Sequence, residues 1–378
     1  MKGYRRIVLA LGLILSSCAH RGETEEGIVA NLDDTCTIPL SKIGNDIHLL
    51  PLYSEKPIGN ILSVRKYGDS VFLLDDVQRQ IVCVDENGNA NIFNRLGRGA
   101  GEYVDISCFS FIEESDELVV FDRHAKSLKF FTLPDGKQTR TVALDFYING
   151  MEMAGKDKLL AVRSGNKNAG TKSSLVLLDV NSGEAEDLIP LQELQGELME
   201  DISFNKEGDT VFFGITGPKF EFYKYSADDL EKVGSVFFRP DVLSKGFWEG
   251  EDYDKQADIL LELLEKGEKE MAIAPFWAMA DAECLCFWYM TGRTRYNHNL
   301  PDRDFCIIRD GKAEIYSTIS CPELGIDRLQ PLGTDGKSYI SLITAEETVP
   351  QPGTELGDAF LAMQAEGVDT ALLIYDLL

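Results

Sequence analysis

Four groups of residues are of types and spacings that could do chemistry. Asp122-Arg123-His124 sets a carboxylate beside one of only four histidines in the chain, and general acid–base catalysis needs such a pair in one pocket. A histidine exposed on a loop is the commoner outcome, so Arg123 and His124 are read as ligand contacts and no residue is assigned a catalytic role. Trp288-Tyr289 and Arg293-Thr294-Arg295-Tyr296-Asn297-His298, with Trp277 nearby, concentrate aromatic and basic groups in an acidic chain. Flat rings give apolar contact and forked donors fix orientation, which suits a sugar or a peptide. Trp277, Trp288, Arg293, Arg295, Tyr296 and His298 are therefore candidate binding residues. The competing account packs both tryptophans between structural units and leaves the arginines as a solvated loop tip.

Gly97-Arg98-Gly99-Ala100-Gly101-Glu102 offers amides to a phosphate. It precedes a strand, though, and lacks the helix N-terminus that makes such a loop an anion site. A close turn with Arg98 paired to Glu102 is the expected role, and Arg98 stays a candidate ligand contact. Cys284 and Cys286 are two apart on a strand and share a face. No second Cys- or His-rich cluster accompanies them, so no metal site is expected and buried packing accounts for the pair.

These groups need a scaffold, and residues 71–103 show its unit: two apolar strands, an Asn-Gly turn, a third strand and a Gly-rich exit. Runs rich in β-branched and aromatic residues recur at 71–74, 118–121, 159–162, 211–214, 285–289 and 339–343. Asn-Gly, Asp-Gly and Ser-Gly pairs supply the positive φ that tight hairpins require between third and fourth strands. A spacing of about 50 residues belongs to propeller blades rather than solenoid coils. One such sheet cannot bury both its faces, so the units must stack, and a closed ring removes the exposed ends. The expected fold is all-β: a six-bladed β-propeller of four-stranded antiparallel blades. The last blade lacks a strand, and the N-terminal strand at 35–40 is expected to fill the gap and close the ring.

In such blades the second-to-third loops and the blade-to-blade links share one face, and the other connections are tight turns on the opposite face. The excursions at 165–171, 291–302 and 346–367, and the link 241–274 with an expected helix at 257–270, all fall on the first face. Long loops on a rigid scaffold carry function, so the loop-rich face, with its helical insertions, is the expected binding surface.

The N-terminus is an address. Lys2, Arg5 and Arg6 precede the apolar run 7–15, which is too short to span a bilayer. Leu15-Ser16-Ser17-Cys18 resembles the lipobox of bacterial lipoproteins. The resemblance implies a signal peptide at 1–17, a lipid on Cys18 and a tether at 18–34 ahead of the propeller at 35–378. Ala19 after the cysteine resembles the outer-membrane sorting pattern, and Glu23, Glu25 and Glu26 resemble a surface-export signal. The expected location is the outer membrane, at the cell surface or the periplasmic leaflet, with the membrane reached through the lipid alone. Losing 1–17 removes three basic residues and no acidic ones, moving the formal charge from −26 to −29. That balance excludes nucleic acid, whose phosphates need many Lys and Arg contacts. It admits neutral or cationic partners and Ca²⁺, while no cofactor is called for. Seven cysteines remain beyond Cys18, mostly inside apolar patterns, and are expected as free, buried thiols.

Residues 95–103 between blades, after the rhythm LLD and IVCVDENG, resemble the six-bladed, NHL-like β-propeller lipoproteins of Bacteroidota, largely without an assigned activity. The expected function is a monomeric, membrane-tethered binding or assembly module for a glycan, a peptide or an envelope protein. The alternative is an exported hydrolase or lyase with a site on the axis, Ca²⁺-dependent or not.

Overall fold

The computed structural model describes residues 27–31, 36–93, 95–133, 135–165, 172–191, 204–215, 220–239, 277–280, 284–290, 303–309, 312–329, 331–334 and 338–377, with Lys255 and Asp258. These residues form six sheets. Blade 1 runs through Ile61–Tyr67, Ser70–Asp75, Gln80–Val84 and Ala90–Phe93. Blade 2 comprises Ile106–Ile112, Glu117–Asp122, Ser127–Thr132 and Gln138–Ala143. Blade 3 comprises Ile148–Met153, Lys158–Arg163, Ser174–Asp179 and Ala185–Pro190. Asn205–Glu207, Thr210–Ile215, Phe220–Ser226 and Asp229–Arg239 make blade 4. Trp277–Ala280, Cys284–Met290, Arg303–Arg309 and Lys312–Ser320 make blade 5. Blade 6 joins Gly333–Thr334, Ser338–Thr344 and Thr370–Leu377 to Gly44–Pro51 from the other end of the chain.

First strands of neighbouring blades approach one another, so they surround the axis and the fourth strands form the rim. Blades bury their faces in pairs. Phe72 and Leu74 of blade 1 pack with Phe109, Phe111 and Phe131 of blade 2, and the Phe72 and Phe111 rings meet edge to face at 4.7 Å. Equivalent clusters join blades 2 and 3, 3 and 4, 5 and 6, and 6 and 1. Each fully buried Phe or Leu contributes about 1.5–3 kcal/mol, which holds successive blades in register. Cys83, Cys108, Cys306 and Cys321 are thiols outside any disulfide, all but Cys83 buried. Burial raises Cys108 to about 12.

The ring does close with an N-terminal strand, but with Gly44–Pro51, antiparallel to Thr370–Leu377, instead of 35–40. Cys36–Pro39 pairs in parallel with Lys312–Ser320 on the rim of blade 5, and Ile28–Asn31, expected as tether, pairs in parallel with Asp229–Arg239 of blade 4. The amino-terminal segment thus runs along the outside of two blades before it closes the third. It satisfies edge groups that would otherwise face solvent.

Of the expected helix at 257–270 only Asp258 is described, and it is helical. A helix at Glu355–Ala365 stands inside the 346–367 loop. Thr354 caps it by accepting from the Gly357 N–H, and Leu356, Phe360 and Met363 turn inward. They dock on the core between blades 5 and 6, and Glu323 accepts from the Leu356 N–H at 3.2 Å.

Candidate functional site at the axis of the ring

The first strands of blades 1 to 3 are irregular in the same place. Their pairing shifts register between Ile61 and Ser63, between Ile106 and Cys108, and between Ile148 and Met151. A bulge sets an extra residue opposite one partner and re-aims its side chain. Leu62, Ser107 and Asn149 occupy these positions, at the strand ends nearest the loop-rich face. Leu62 is 52% exposed despite sitting in an apolar strand.

Around them stand the second-to-third turns. Blades 1 and 2 build these turns alike: Asp75 and Asp122 end their second strands fully buried, and Arg79 and Lys126 hold positive φ four residues later. Asp75 accepts from the Gly59 and Gln78 N–H groups and from Gln80 Nε2 at 2.7, 3.0 and 3.1 Å. Asp122 accepts from the N–H groups of Val104, His124 and Ala125 and pairs with Lys129 Nζ at 2.8 Å. Burial acts to raise the Asp122 pKa, but Lys129 and the amides outweigh it and hold the carboxyl below its ordinary value.

This geometry accounts for Asp122 without the imidazole of His124. The carboxylate is spent on main-chain amides, one of them that of His124, whose ring stands at an exposed turn tip equivalent to Val77. Arg123 is likewise exposed, its N–H donating to Asp105 O at 2.8 Å. What the turns present is a cationic and aromatic sector. Arg79, Arg123 and His124 are exposed, and Lys126 Nζ lies 4.3 Å from the centre of the Tyr147 ring, which is 40% exposed. Arg79, Lys126, Tyr147 and Leu62 escaped the sequence reading. The repeated Asp-x-x-x-Arg/Lys spacing at 75–79 and 122–126 was the signal for the first two.

The other end of the axis is occupied. Arg65 of blade 1 reaches past blade 2 to pair with Glu152 of blade 3, and its Nη2 donates to Met151 O at 2.9 Å. Glu152 Oε1 accepts from Ser110 Oγ of blade 2 at 2.6 Å, so three blades share one buried carboxylate. One turn outward, Lys206 of blade 4 meets Glu113 of blade 2 at 2.6 Å. Tyr67 of blade 1 donates to Asp116 at 2.5 Å; burial and that carboxylate raise its pKa to about 12.

Arg98 is exposed in the 94–105 link. The cradle beside it is already filled, because Glu102 accepts from the Gly99 N–H at 2.6 Å and its oxygen lies 1.9 Å from where a Gly97 Cβ would stand. Glu102 therefore caps its own loop, in place of the expected Arg98 pairing. Trp277 and Trp288 are register partners on the first two strands of blade 5. Arg293, Arg295, Tyr296, His298 and Cys18 lie outside the described residues. Among the described residues no three His, Cys, Asp or Glu side chains group to hold a metal ion, and no helix is long and apolar enough to cross a membrane.

Six four-stranded blades closed by the chain's own amino-terminal segment define a β-propeller. Residues 19–282 match the DUF5128 family, described as a 6-bladed beta-propeller, and the chain belongs to it. Among solved structures it is similar to a "Putative exported protein" from Bacteroides fragilis, at 13% identity and a TM-score of 0.70, over 93% of this chain and 99% of that one. It is also similar to a DUF4221 family member from Bacteroides vulgatus, at 9% identity and a TM-score of 0.50, over 89% and 98% of the two chains. No curated protein matches the chain.

Proposed function

We propose that this protein is a non-catalytic binding or assembly module, tethered to the outer membrane through Cys18, that presents its loop-rich face to a glycan, a peptide or an envelope protein. The observation that carries the reading is the contrast along the axis. At one end polar groups are spent on one another between blades; at the other, bulged strands and turn tips leave Leu62, Arg79, Arg123, His124 and Tyr147 facing solvent. An exposed ring beside cations suits carbohydrate or peptide, with apolar contact from the ring and orientation from the donors.

The lipobox at 15–18 supports the tether, and the acidic run at 23–26 supports display at the surface. The test immobilises the lipidated protein and screens glycans and envelope extracts, comparing wild type with Arg123→Ala/Tyr147→Ala and with Arg293→Ala/Arg295→Ala. Saturable binding lost in either variant supports the reading. A folded wild type that retains nothing, or turnover of any retained glycan, overturns it. Radiolabelled palmitate incorporated into wild type but not Cys18→Ala tests the anchor.

A further inference from the structure

Away from the axial sector around Leu62 and Tyr147, the rim carries a further feature. Between blades 6 and 1 opens a groove of about 990 Å³, lined by Tyr53, Ile58, Asn91, Ile92, Glu366 and Asp369 among others. One wall is the outer edge of Ala90–Phe93. Tyr53 begins a parallel ladder on that edge: its N–H donates to Gly88 O at 2.8 Å and its carbonyl accepts from the Ala90 N–H at 2.9 Å. The chain then peels away, because Ser54 Oγ donates to Lys56 O at 2.7 Å and accepts from the Lys56 N–H at 3.3 Å. Antiparallel pairing with blade 1 uses the main chain of Asn89 and Asn91, so the alternate groups, the Ala90 C=O and the Ile92 N–H and C=O, point outward into the groove.

The molecule already answers this situation twice. Ile28–Asn31 and Cys36–Pro39, four residues each, add in parallel to the rims of blades 4 and 5. We infer that the groove between blades 6 and 1 takes a strand in the same way: an extended, basic segment of a partner polypeptide, paired with the Ala90–Phe93 edge. Main-chain bonds supply the hold in this mode of recognition, and side chains supply the choice. The choice is for Lys or Arg, because Glu55, Glu366 and Asp369 line the groove against the single cation Lys56, and Tyr53 OH stands 3.5 Å from Glu366 Oε2. The same charge disfavours a second copy of this chain, which carries −26 overall.

Fluorescence anisotropy of a labelled peptide alternating Lys and Val over six residues, titrated with the detergent-solubilised full chain, tests the inference. Binding is expected to saturate and to weaken about threefold in Glu366→Gln/Asp369→Asn. Ile92→Pro should weaken it at least tenfold while sparing the blade's own bonds, since only the outward N–H is lost. Replacing Lys by Glu, or N-methylating alternate peptide residues, should abolish binding. No binding to wild type, equal binding of the N-methylated peptide, or a dimer dissociated by Ile92→Pro would each overturn the inference. If Ile92→Pro does not fold, hydrogen exchange on wild type decides. A slower Ile92 amide with peptide supports the strand, and an unchanged one refutes it.

Discussion

The two ends of the axis are made by the same first strands and do opposite things. Toward the tight turns, Arg65 pairs with Glu152 and Lys206 with Glu113 two blades away, and Ser110 bonds Glu152 from the blade between. Toward the loops, bulges in three consecutive blades break the pairing and expose Leu62. Polar groups at the first end hold the ring together, and those at the second are available to something else. The comparison can be broken by mutation, since stability should depend on one end and binding on the other.

The largest effect is expected from Glu152→Ala. It leaves Arg65 largely buried without its countercharge and Ser110 without its acceptor. Breaking a buried pair from one side costs about 3–5 kcal/mol, whereas replacing both members by apolar groups is often neutral. Denaturant unfolding should therefore show a drop of that size for Glu152→Ala, mostly recovered in Arg65→Met/Glu152→Met. If the single substitution is silent, the closed end is not structural and the contrast fails.

Asp122→Ala comes next, at about 2–3 kcal/mol, because several main-chain N–H groups and Lys129 lose one acceptor together. The comparison sharpens if this loss is independent of the far end, as judged by additivity of Asp122→Ala and Glu152→Ala in a double-mutant cycle.

Acid should reveal the same carboxylates. Asp179 is held down to about 2, first by the Ser182 and Asn181 amides, and Asp122 is also lowered. A group whose folded pKa lies below its unfolded value stabilises fully above the unfolded value and loses that contribution as pH falls through the folded one. Melting temperature should hold above about pH 4, near the unfolded carboxylate range, and fall toward pH 2. Asp179→Asn should make that fall shallower.

The scaffold was more legible than the site, for a physical reason. Strands at 71–74, 118–121 and 339–343 declare themselves because apolar periodicity and turn chemistry are local. The closing strand did not, because Gly44–Pro51 contains Asp46 at a φ of 47° and mixes polar with apolar residues, while 35–40 carries the better local pattern and ends up on a neighbouring rim. The Arg65–Glu152 pair spans 87 residues and depends on ring closure, which no local spacing encodes. Asp122-Arg123-His124 was ambiguous in a different way. A carboxylate two residues before a histidine looks the same whether it meets the imidazole or the main-chain N–H, and only comparison with Asp75 to Arg79 separates the two.

The smallest effect on stability is expected at the open end, and that smallness is informative. Leu62→Ser removes an apolar side chain that is already half exposed and sits at a bulge, outside the regular pairing. Surface changes of this kind usually stay within about 0.5 kcal/mol, far below the cost at Glu152. The neighbouring Val64 is buried in the core between blades 6 and 1, so Val64→Ser should cost several times more, although it lies two residues along the same strand. If Leu62→Ser leaves the unfolding curve in place yet weakens capture of a partner on the loop-rich face, the bulge is there to present a side chain. If instead it destabilises as much as Val64→Ser, Leu62 belongs to the packing and the open end has been misjudged.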